Sequence, residues 1–171
     1  MRSVLGIDPG TARMGYAVVR QDGSRLNLLS CGVIETTSTS PMPTRLAVLY
    51  DALVALIDKF EPTELAVEEL FFNRNVQSAL SVGQARGVAL LAAAHRRLPV
   101  YDYTPLQVKE SVTGFGRARK EQIQEMVRVL LDLKSVPQPD DAADAAAIGV
   151  CHLHSAAGRD LYQNLIQTNR S

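Results

Sequence analysis

Residues 4–36 read VLGIDPGTARMGYAVVRQDGSRLNLLSCGVIET. Val4 to Ile7 is a short apolar run closed by Asp8-Pro9-Gly10, a strong turn signal. Gly15 to Arg20 is a second strand, Gln21-Asp22-Gly23-Ser24 a turn, and Leu26 to Thr36 a third strand. Three strands on short links make an antiparallel meander.

Past this meander the period changes. A Ser/Thr/Pro-rich break spans Thr36 to Pro43, and apolar residues then recur at Leu46, Leu49, Tyr50, Leu53, Leu56, Ile57 and Phe60. That spacing is helical, and Pro62 ends it. Leu65 to Leu70 reads as a fourth strand, Asn75 to Arg97 as a long helix stopped by Pro99, and Val100 to Tyr103 as a fifth strand. Helices follow near Pro105 to Val112 and Arg119 to Leu133, around a basic loop holding Gly114 and Gly116. An Ala-rich helix runs from about Asp141 to Ala157. Strands four and five each follow a helix, so they add parallel to a neighbour through right-handed crossovers. The fold class is α/β: a five-stranded mixed sheet, three antiparallel strands then parallel additions, flanked by helices. One domain is expected over 1–157, with 158–171 a polar, fraying tail.

Composition narrows the class. The chain has 171 residues, 46% hydrophobic and 21% charged, as in ordinary globular domains. Two cysteines, Cys31 and Cys151, are too few for a disulfide framework and point to a reducing, cytoplasmic compartment. The apolar stretch from Gly87 to Ala94 is far short of the roughly 18 residues a membrane span needs. Asp8 interrupts the N-terminal apolar run too early for a signal peptide. Net charge is zero, yet Arg74 to Lys120 carries eight basic residues against two acidic ones, +6, leaving −6 elsewhere. An acidic site beside a basic surface fits that asymmetry, and a basic surface suits a polyanion.

The carboxylates carry the chemistry. Asp8 ends strand one. Glu68 and Glu69 end strand four inside LAVEELFF, residues 65–72, and period-two alternation does not choose between them. Asp140, Asp141 and Asp144 open the last helix, where residues three or four apart share a face. If strands one and four are parallel neighbours, these acids meet at one sheet edge. Singly, Asp8 reads as an Asx-turn residue and Asp141 as a helix cap. A carboxylate flanked by Ala66, Val67 and Leu70 is costlier to explain without a partner. Clustered acids raise one another's pKa unless cations neutralise them, and oxygen-only ligands select a hard ion, Mg²⁺ or Mn²⁺. Two such ions can drive phosphodiester hydrolysis.

LGIDPGTARMGYAVV, AVEELFFNRNVQSALSVGQARGVALLAAA and DDAADAAAIGVCH resemble the bacterial RuvC Holliday-junction resolvases, over about Val4 to His154. The resemblance implies a ribonuclease-H-like fold, a homodimer, and Mg²⁺-dependent paired nicking of four-way DNA junctions in recombination and repair. It carries the catalytic, metal-binding set onto Asp8, Glu68, Asp141 and Asp144, choosing Glu68 over Glu69 and Asp141 over Asp140. It implies two ions per site, with Mg²⁺ or Mn²⁺ as cofactor. It places Lys109 and Lys120 near the scissile phosphate, and Phe71 as the aromatic after the strand-four glutamate. The branch-migration proteins RuvA and RuvB are the implied partners. The basic segment supplies Arg74, Arg117 and Arg119 as further expected DNA contacts.

Other readings remain. The same carboxylates serve a ribonuclease H cutting RNA in hybrids, and a DNA-binding module without catalysis would keep the basic surface. An actin-like or sugar-kinase ATPase needs two such lobes, and this chain has the length of one. Cys151, His152 and His154 do not match zinc spacing, where ligands come in separated pairs. Small residues in the long helix, among them Ala79, Gly83, Gly87 and Ala94, suit either packing on the chain's own sheet or a twofold subunit contact.

Overall fold

The computed structural model describes residues 1–69 and 76–168. The chain forms β1 (Arg2–Asp8), β2 (Arg13–Asp22), β3 (Arg25–Glu35), α1 (Met42–Phe60), β4 (Glu64–Glu68), α2 (Val76–His95), β5 (Val100–Tyr103), α3 (Pro105–Thr113), α4 (Lys120–Leu130) and α5 (Asp140–Thr168). The strands lie in the order β3-β2-β1-β4-β5. β1 pairs antiparallel with β2 and parallel with β4, and β5 adds parallel to β4. The expected mixed sheet is therefore present, with its parallel half running from β1 through β4 to β5. One boundary departs from expectation. α5 continues to Thr168, so residues 158–168 take helical backbone where the polar composition suggested a fraying tail.

β1 is the central strand and is buried on both faces. Leu5 and Ile7 point to one layer, with Leu65 and Val67 of β4 beside them, under Leu49, Leu53 and Ile57 of α1 and Ala85, Ala89, Ala92 and Ala93 of α2. Val4 and Ala66 point to the other, under Ala145, Ile148 and their neighbours on α5, with Val108 and Val112 of α3. The alternation of side chains along a strand makes both assignments consistent.

α5 lies unusually close to the sheet. A Cβ on Gly6 would overlap the Ala145 carbonyl oxygen, and one on Gly15 would overlap the carbonyl oxygen of Asp141. Glycine on the strands and alanine on the helix together remove the side-chain layer that normally separates them. The helix start is thereby pressed against the ends of β1 and β2. His152 is fully buried further along α5. Its Nδ1 meets the Tyr103 hydroxyl at 2.9 Å and its Nε2 meets Glu64 Oε2 at 2.8 Å. It ties α5 to β4 and β5.

Candidate active site

The parallel register aligns Ile7 of β1 with Val67 of β4. Asp8 and Glu68 are the next residues, so the two carboxylates leave the sheet side by side. Both share strand parity with the residues that face α5: Asp8 with Val4, and Glu68 with Ala66. That parity separates the two glutamates the sequence left open. Glu68 lines a cleft, whereas Glu69 is exposed and bonds through its backbone N–H to the Tyr103 carbonyl at 2.8 Å.

The cleft has a volume of about 280 Å³. Asp8, Glu68 and Asp144 bring acid to it, Lys109 and Lys120 bring base, and Pro105, Val108, Ile123, Ala147 and Ile148 form apolar walls. Each charged group arrives from a different element: β1, β4, the first turns of α5, α3, and the first residue of α4. Among the described residues neither Asp8 nor Glu68 has a hydrogen-bond or ion-pair partner.

The electrostatics follow from this crowding. Burial, then the charges of Glu68, Asp144 and Asp141, push the Asp8 carboxyl from 3.8 up to about 7, against the pull of Lys120. Burial and Asp144 also raise Glu68, opposed by Lys109. Asp144 is raised chiefly by burial, with Lys120 opposing. Burial lowers Lys120, but its hydrogen bonds and charge interactions with Asp144 and Asp140 outweigh that and hold it above the usual lysine range. Hydrogen bonds from Lys120 and Gln124 hold Asp140 below the ordinary carboxylate value.

Not every expected acid sits in the cleft. Asp141 adds to the field on Asp8 but turns to Arg13, whose Nε donates to its Oδ2 at 3.0 Å. Arg13 also approaches Glu35 at 4.0 Å. Sequence reasoning did not single out Arg13. It opens β2, and only the packing of α5 on Gly15 brings Asp141 within its reach. Among the described residues no three or more acid, histidine or cysteine side chains are grouped so that they could hold a metal ion as they stand. Lys120 and Arg13 hold two of the four acids in ion pairs instead.

Arg117 and Arg119 are exposed in the loop between α3 and α4, close in sequence to Lys120. Gly114 turns the chain into that loop at φ +73°. Phe71 and Arg74 lie outside the described residues. Among the described residues no helix is long and apolar enough to cross a membrane.

A five-stranded mixed sheet with acids at the carboxyl ends of two parallel central strands, and more acids at the start of a helix packed over them, defines the ribonuclease-H-like class of α/β domains. Within that class the chain belongs to the RuvC family. Residues 4–152 match the family described as crossover junction endodeoxyribonuclease RuvC. A relative of that name from Desulfitobacterium hafniense is 58% identical over 152 residues, spanning 89% of this chain and 92% of the relative. Another, from Rubrobacter xylanophilus, is also 58% identical, with 85% of the relative covered. Among solved structures, Thermus thermophilus RuvC in complex with a Holliday junction substrate superposes with a TM-score of 0.87. It shares 38% identity, covering 91% of this chain and 95% of that one. The yeast mitochondrial Holliday junction resolvase, at 18% identity and a TM-score of 0.69, shares the fold.

Proposed function

We propose that this chain is a metal-dependent endonuclease that resolves four-way DNA junctions by paired nicks in opposed strands. The observation that carries the reading is the convergence of Asp8, Glu68 and Asp144 with Lys109 and Lys120 in one cleft of a RuvC-family chain. The donor set fits a hard divalent ion: every acid is an oxygen ligand, and burial together with the neighbouring acids disfavours the Asp8 charge, which a cation would offset. Asp8, Glu68, Asp141 and Asp144 would hold Mg²⁺, or Mn²⁺, as two ions. When bound, those ions supply an activated water and stabilise the leaving oxygen.

The chain's own residues do the rest. Lys109 and Lys120 line the same cleft as the acids and attract the scissile phosphate into a site that would otherwise repel it. Arg117 and Arg119 extend that attraction to flanking phosphates, with Arg74 as a further contact. Phe71 stacks on a base freed at the junction centre, an interaction worth about 1–3 kcal/mol. The apolar walls from Val108, Ile123 and Ile148 limit water around the phosphate.

Two nicks in opposed strands call for two such clefts, hence a homodimer. α2 supports one. Ala85, Ala89, Ala92 and Ala93 face the chain's own core, while Leu80, Gly87, Leu91 and Ala94 are exposed at spacings that fall on one face. Family resemblance supports RuvA and RuvB as partners, and a DNA-processing role supports a cytoplasmic location.

The test is a synthetic four-way junction incubated with and without Mg²⁺, its products mapped to the nucleotide beside an RNA–DNA hybrid control. Paired, symmetric nicks that need the metal are expected. Cleavage of the hybrid with the junction left intact would overturn the reading.

A further inference from the structure

Asp140 is the acid that neither the family register nor the cleft absorbs. It opens α5 and is more than half exposed, yet it has two partners. Lys120 Nζ lies 3.2 Å from Asp140 Oδ2 and 3.0 Å from Asp144 Oδ2. Gln124, one turn further along α4, donates through Nε2 to Asp140 Oδ1 at 3.1 Å. The Lys120 ammonium thus sits between an acid that lines the cleft and an acid that does not.

Lysine suits this place. Its ammonium carries three donors on a flexible stem, so it can hold two carboxylates or shift toward one. Asp140 and Asp144 are four residues apart on a helix, so they lie one above the other on one face. Gln124 steadies the outer of the two. A divalent cation taking an oxygen of Asp144 would repel the ammonium that holds it. Lys120 must then retreat, and Asp140 offers it a carboxylate one helical turn away.

We propose that Asp140 is a positioning residue for Lys120: it anchors the ammonium when Asp144 turns to a metal ion, so loading the site does not cost Lys120 its ion pair. This rests on the reading of Asp144 as a metal ligand. Without Asp140, Lys120 would have Asp144 alone, and cation and ammonium would compete for one carboxylate.

The experiment uses the full chain without DNA and Mn²⁺ alone, with the free ion counted by electron paramagnetic resonance. Asp140→Asn is expected to weaken Mn²⁺ binding about two- to fivefold, the size of effect an exposed ion pair supports. Lys120→Met should strengthen binding by removing the competitor. In the Lys120→Met background, Asp140→Asn should change little, because no ammonium remains to be placed; a double-mutant cycle isolates this coupling. Gln124→Ala, which leaves every charge in place, should give a smaller loss in the same direction that also vanishes with Lys120→Met. Equal loss from Asp140→Asn in both backgrounds would mean that Asp140 merely attracts the cation, and would overturn the inference. So would unchanged binding in the single variant. Wild-type protein that binds no Mn²⁺ would instead overturn the metal reading of the whole site. Melting curves without metal confirm that each variant is folded.

Discussion

Asp8 concentrates the chemistry of this site at the scale of one residue. It is largely buried, stands next to Glu68, and feels two acids of α5. Asp8→Asn keeps the side-chain size while removing one charge, and it breaks no hydrogen bond, since the Asp8 carboxylate has none among the described residues. Cleavage should fall at least about 100-fold, because metal-centred stabilisation is worth several kcal/mol. Melting temperature without metal should hold or rise, since a buried unpaired charge has gone. A loss of stability with normal cleavage would mark Asp8 as a turn residue. The same carboxyl makes stability depend on pH. In the metal-free folded chain it ionises near pH 7, against 3.8 when its environment is ordinary. Between those values the folded chain keeps a proton that the unfolded chain has released, so this contribution to stability falls as pH rises and is gone above about 7. Mg²⁺ should oppose the loss by binding the ionised form. Thermal melts should therefore show a Mg²⁺ gain of several degrees at about pH 8 and little at about pH 5. An equal gain at both would sink this account of Asp8.

At the scale of elements, the site depends on how closely α5 approaches the sheet. Gly6 and Gly15 leave room for helix backbone where any other residue would place a Cβ against the Ala145 or Asp141 carbonyl. Nearby residues on α5 are themselves small: Ala142, Ala145 and Ala146 are fully buried. Gly15→Ala should push the start of α5 outward, because the obstacle is backbone and cannot rotate aside. Overpacking of this kind costs about 1–3 kcal/mol, or roughly 3–10 °C in melting temperature for a chain this size. Activity should fall further than stability explains, since Asp141 and Asp144 move with the helix. Gly23, at φ +62° with open space around it, is the contrasting position. Substitution there strains a turn far from the acids and should leave activity at temperatures well below melting unchanged.

At the scale of the molecule, acid and base are segregated. The chain is neutral overall, but its basic segment supplies Lys109, Lys120, Arg117 and Arg119 to the cleft and the loop beside it. Among the described residues Arg117 and Arg119 have no ion-pair partner, so their charge is available to phosphate. Junction binding without metal should weaken linearly in log affinity against log salt. Arg117→Ala with Arg119→Ala should flatten the slope by about 1–2, roughly one for each phosphate that is no longer neutralised. A slope unchanged by the double substitution would take these arginines out of the interface. The exposed face of α2, with Leu80 and Leu91, is the other large-scale feature, and it lies on the opposite layer of the sheet from α5.

Much of this is legible in the sequence. The turn chemistry of Asp8-Pro9-Gly10 and Gln21-Asp22-Gly23-Ser24, and the switch from period two to helical spacing after Thr36, are local signals. Local signals define elements and their order, and β5 is observed over Val100–Tyr103 as expected. Family motifs pointed to the acids, because motif spacing is a property of the chain. Three things depended on tertiary packing. Glu68 and Glu69 are equivalent in a period-two pattern until the sheet has an α5 face and the register sets Glu68 beside Asp8. Arg13 lies before the strand read over Gly15 to Arg20 and carries no local signal of its role; α5 brings Asp141 to it across 128 residues of sequence. Lys120 stands between Asp140 and Asp144 only because α4 packs against the start of α5. Periodicity and motif are written along one dimension. Which charge neutralises which depends on distances across the fold, and those exist only once the helices close on the sheet.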